Sequence, residues 1–134
     1  MAELKPGLVG EFRRVVEEPD TAHALGNIGV YVFSTPTMIS WMESASGLAV
    51  HSHLAPGQGT VGTHLDVRHL AATPAGMHVT VRSVLAAVDG RKLTFHVEAY
   101  DEKEKIGEGT HERFIVEMAQ FMERVNMKRA TPRG

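Results

Sequence analysis

Two rhythms divide the chain. From Thr37 to about His51 the residues are almost all apolar or small, and Glu43 is the one formal charge among them. A helix that is apolar on nearly all sides has to be buried on nearly all sides. The segment is therefore expected inside a fold, not on one face of a sheet. Thr35-Pro36 marks its entry, with Thr35 as the cap and Pro36 in the first helical position.

Strand-like runs surround this helix. Leu8 to Glu18 carries Val9, Phe12, Val15 and Val16, and Pro19 to Gly29 then reads as loop with one helical turn. Four longer runs follow, Gly59 to Ala71, Met77 to Val88, Lys92 to Asp101 and Lys105 to Val116. Asp89-Gly90 is a two-residue hairpin signal, and Thr73-Pro74-Ala75-Gly76 is a second turn. Glu117 to Arg129 closes the chain as an amphipathic helix with Met118, Phe121, Met122 and Val125 on one face, and Thr131 to Gly134 is expected to fray.

One engulfed helix followed by sequential antiparallel strands gives an α+β fold, a long sheet curled around a central buried helix. Strands of about 10 to 12 residues span roughly 33 to 40 Å, long for so small a protein. Pairing with a second copy would cover edges and apolar surface, so a homo-oligomer is expected. With 134 residues and no linker or repeat, residues 1–134 read as a single domain.

Composition narrows the function classes. A net charge of -2 builds no basic field, which argues against nucleic acid as a partner. There is no cysteine, so disulfides, thiolate zinc sites and a cysteine nucleophile are out, in keeping with a reducing cytoplasm. No signal peptide and no apolar run of membrane-spanning length is visible, so a soluble cytoplasmic protein is expected.

Three residues could carry chemistry. Glu43, amid Trp41, Met42, Ala45 and Leu48, is costly to desolvate unless it is paired, unless its pKa rises or unless one side of the helix meets solvent there. Period-two alternation puts His69 with Val61, Thr63, Leu65 and Val67 on an apolar face toward the helix, and His64 on the other with Thr60, Gly62, Asp66 and Arg68. A histidine there is either a hydrogen-bonded core residue or a partner for Glu43. Thr35 is a cap by local sequence, and a residue at a helix N-terminus also sits where an oxyanion is welcome. His51-Ser52-His53 lacks a third ligand, and His111-Glu112-Arg113 lacks the second helical histidine of a zincin, so no metal is expected.

In order and spacing, several stretches resemble the fluoroacetyl-CoA thioesterase-like branch of the hot-dog thioesterases. They are Thr35 with Trp41-Met42-Glu43, Gly59-Thr60-Val61-Gly62-Thr63, the run His69 to Gly76, and Ile106 to Arg113. The resemblance implies a hot-dog fold and an acyl-CoA thioesterase that cleaves a small or medium acyl-CoA to free acid and CoA, without a cofactor. It implies catalytic roles for Thr35, Glu43 and His69, and substrate contacts at Gly62 and Arg113. Active sites near a dimer interface are implied as well, in a homodimer or a dimer of dimers. The fluoroacetyl-specific member has lid phenylalanines ahead of its threonine, whereas Ala24 to Gly29 here has no aromatic, so fluoroacetate specificity is not carried over. The competing readings are a hydratase or dehydratase of acyl thioesters and a non-catalytic acyl-CoA-binding module.

Overall fold

The computed structural model describes residues 3–130, so the fraying expected of Thr131 to Gly134 lies outside the described residues. The elements are β1 (Val9–Val15), α1 (Thr35–Val50), β2 (Gln58–His69), β3 (His78–Asp89), β4 (Lys92–Tyr100), β5 (Lys105–Glu117) and α2 (Met118–Ala130). Single 3-10 turns occupy Glu18–Asp20 and His51–His53. The five strands form one antiparallel sheet in the order β1-β3-β4-β5-β2. Among the described residues no helix is long and apolar enough to cross a membrane.

Alternation along the central strands builds the core. Val79, Val81, Ser83 and Leu85 of β3 and Leu93, Phe95, Val97 and Ala99 of β4 are all buried. The register Val81↔Ala99, Ser83↔Val97 and Leu85↔Phe95 stacks them side by side under α1. The helix answers with Met38, Trp41, Met42, Ala45, Ser46, Ala49 and Val50. Trp41 meets Phe33 at 4.7 Å and Phe12 at 5.9 Å between ring centroids. Ser46 Oγ bonds the Met42 carbonyl (2.9 Å) and Ser83 Oγ (2.8 Å), which satisfies two buried hydroxyls between helix and sheet. At Gly10 the helix backbone lies directly on β1, and a Cβ there would overlap the Ala45 carbonyl.

Three expectations are corrected. Within one chain α1 is not engulfed: Ser40, Ser44 and Leu48, spaced by one turn, are exposed, Leu48 by 57%. The closing helix α2 is found as expected, and its Met118, Met122 and Val125 are exposed, with no residue of the helix buried. The hairpin between β3 and β4 turns on Gly90-Arg91, because Asp89 still pairs with Lys92 and Gly90 alone takes positive φ (+61°). Finally, β2 does not alternate throughout. Gly62 pairs with Arg113 but His64 pairs with Glu112, so Thr63 is a bulge and the strand changes face there.

Candidate active site

The helix entry places the first residue. Ser34, not Thr35, caps α1: its Oγ accepts from the Thr37 amide at 3.1 Å and Pro36 sits in the first turn. This one-residue shift frees the Thr35 hydroxyl, which lies 2.7 Å from His69 Nδ1. His69 ends β2, just before the chain leaves the sheet. Burial pushes its imidazole below the ordinary value, and a polar contact with the Ala71 backbone pulls the other way. His69 Nε2 is buried and has no hydrogen-bond partner among the described residues. A cavity of about 400 Å³ opens beside the pair, bounded by Ala22, Val30, Val32, Leu70 and Ala72 among others.

Glu43 lies elsewhere. It is eight residues further along α1, about 12 Å of helix axis, and its Oε2 is 3.6 Å from Arg113 Nη1 and 4.0 Å from His111 Nε2. The Arg113 guanidinium is held in turn by Thr60, with Nε donating to its Oγ1 at 2.8 Å and Nη2 to its carbonyl at 2.9 Å. Burial pulls Arg113 below its usual value, and the Glu43 charge opposes that. The bulge at Thr63 sets this arrangement. It turns Thr60 and Gly62 to the helix side while Leu65, Val67 and His69 keep the same side beyond it. Gly62 then lies beneath Glu43, and a Cβ at that position would stand 2.7 Å from Oε2.

The five residues singled out by sequence therefore form two groups. Thr35 joins His69 at the start of α1 and the end of β2, and Glu43, in the middle of α1, joins Arg113 and Gly62. The contact expected between Glu43 and His69 is not made within the chain. His111, considered in sequence only as a metal ligand, is fully buried beside Arg113 and belongs to the second group. Its signal was its place on β5, two residues from Arg113 and therefore on the same face. Among the described residues no group of three His, Cys, Asp or Glu is placed to hold a metal ion.

Comparison with known proteins supplies the family. Residues 16–119 match the family described as fluoroacetyl-CoA-specific thioesterase, FlK. The fluoroacetyl-CoA thioesterase of Streptantibioticus cattleyicolor is 44% identical over 103 residues, which cover 77% of this chain and 73% of that protein. A solved structure of the fluoroacetyl-CoA thioesterase FlK superposes with a TM-score of 0.89 at 36% identity, covering 98% of this chain and 100% of that one. A thioesterase superfamily member from Thermus thermophilus gives the same TM-score at 28% identity, covering 97% of this chain and 96% of its own. A hot-dog-like protein from Thermanaerovibrio acidaminovorans, at 22% identity and a TM-score of 0.87 over 97% and 96% of the two chains, shares the fold. This chain is an α+β hot-dog protein, and it belongs to the fluoroacetyl-CoA-specific thioesterase family.

Proposed function

We propose that this protein hydrolyses small or medium acyl-CoA thioesters, and that two copies build each active site. The observation that carries the reading is the separation of the two groups along the edge strand β2, Thr35 with His69 at its end and Glu43 with Arg113 above Gly62 further back. An antiparallel pairing of β2 with β2 of a second copy would bring His69 of one copy to the Gly62 end of the other. Neighbouring strands lie about 4.8 Å apart, close enough for Thr35 and His69 to face Glu43 of the partner subunit across one substrate. The exposed stripe Ser40, Ser44 and Leu48 of α1 lies on the side of the sheet that such a pair would close. A two-fold axis makes two such sites at once.

The chemistry follows from the atoms available. In this scheme the Thr35 hydroxyl donates to His69 Nδ1 and the proton sits on Nε2, which has no partner among the described residues and so is free to donate to the thioester oxygen. Glu43 and the Arg113 that contacts it come from the same copy, the partner of the one that supplies Thr35 and His69, and in this scheme that carboxylate takes a proton from the attacking water. The hydroxyl oxygen adds to the carbonyl carbon, and charge develops on the oxygen facing His69. The C–S bond then breaks, and the CoA thiolate leaves with the proton held by Glu43. In this scheme Gly62 leaves room for the carboxylate and the substrate, and Arg113 acts on Glu43 before it acts on CoA. A chain without cysteine suits the cytoplasm as the site of this reaction.

A panel of acyl-CoA esters scored by free thiol release tests the reading. The wild type is expected to turn over short to medium chains, and Glu43→Gln, His69→Ala and Thr35→Ala each to lose about 10²- to 10⁴-fold while remaining folded. Binding without thiol release would make the protein a carrier, and hydration of an enoyl-CoA without hydrolysis would make it a hydratase; either result overturns the proposal.

A further inference from the structure

The mechanism above leaves one buried titratable group unused. His111 on β5 is completely buried and packs against Phe95 of β4, with ring centroids 6.2 Å apart. Its two nitrogens face different elements. Nδ1 is 2.8 Å from the His64 carbonyl of β2, an acceptor only, so the proton sits on Nδ1. Nε2 is then a lone pair, and Arg113 Nη1 lies 3.3 Å away and donates to it. The same Nη1 lies 3.6 Å from Glu43 Oε2. Arg113 is thus fixed on one side by Thr60 and on the other by an imidazole nitrogen.

We propose that His111 is a positioning residue for the hydrolytic carboxylate: in its neutral form, with the proton on Nδ1, it holds Arg113 Nη1 at the distance from which Arg113 orients Glu43. The inference rests on the proposed role of Glu43. Only the neutral form does this. A proton on Nε2 would turn the acceptor into a donor, set a positive imidazolium against the guanidinium and break the contact. The groups around the ring favour the neutral state in balance: burial lowers its proton affinity most, the hydrogen bond to the His64 carbonyl raises it, the Arg113 charge lowers it, Glu43 raises it and the His64 side chain lowers it. His111 therefore stays neutral below the pH at which a free histidine would be half charged.

Two variants separate this role from simple filling of the core. His111→Gln keeps an acceptor oxygen near the Nε2 position; His111→Leu fills the volume without one. His111→Leu is expected to lose about 10- to 100-fold in kcat with KM little changed, as for a lost hydrogen bond to a charged group, and His111→Gln to recover most of that loss. Equal losses in the two variants, or full activity in His111→Leu, would overturn the proposal. Nitrogen NMR of the wild-type ring gives a second arm that does not depend on either variant folding. At pH 7 the expected signature is a neutral ring protonated on Nδ1; a charged ring, or one protonated on Nε2, overturns the proposal. Because that spectrum needs no turnover, it stands apart from the thiol-release assay that decides the hydrolase reading.

Discussion

The Glu43 carboxylate occupies the space that a side chain at Gly62 would need, with 2.7 Å between Oε2 and the position of a Cβ. The φ of Gly62 is not positive, so what residue 62 requires is room and not a special backbone conformation. Gly62→Ala should therefore leave the fold intact, because the group that must move is the end of a flexible side chain. It should displace the carboxylate by a fraction of an ångström to an ångström and lower kcat about 10- to 100-fold. Steady-state kinetics with an accepted acyl-CoA, beside a thermal melt, checks this; unchanged kcat would mean that the carboxylate position is not critical.

Gly10 is a glycine of a different kind. Its missing side chain lets the backbone of α1 at Ala45 and Ala49 lie on β1, and here backbone atoms would have to move. Gly10→Ala is expected to cost roughly 1 to 3 kcal/mol of stability, measured by urea unfolding. A variant as stable as wild type would show that the helix can lift from the strand without loss.

Much of this architecture is legible in the chain. The apolar run with its single charge is α1, the four long strands fall where alternation and turn residues put them, and Pro36 marks the helix entry. Three details are not legible, each for a physical reason. Ser34 and Thr35 are both good caps, and only the tertiary bond to His69 separates their roles. The bulge at Thr63 inverts the face of Gly62, and period-two counting has no means of seeing an inserted residue. His111 sits in a polar-looking run, and its burial arises from β2 and β4 closing over β5, a long-range contact.

His69 and His111 share a consequence for stability. Both are pushed below the ordinary imidazole value of 6.5, with burial as the leading cause. A group whose folded value is lowered is protonated first in the unfolded chain, so its contribution is fully present above about pH 6.5 and is lost as pH falls below it. Urea midpoints should fall between pH 7.5 and pH 5.5, and His111→Gln should flatten that slope. An equal slope in the variant would remove His111 from the account.

The central claim, that Thr35 with His69 from one copy works on the same substrate as Glu43 from the other, has a direct test. Glu43→Gln and His69→Ala are each expected to be nearly inactive alone. Unfolded together and refolded as an equal mixture, they form mixed pairs in which one of two sites carries neither substitution. About a quarter of wild-type acyl-CoA hydrolysis should then return, half of the pairs being mixed with one working site each. No recovery in a mixture shown to contain mixed pairs would contradict the account, because it would place all three residues in one copy's site.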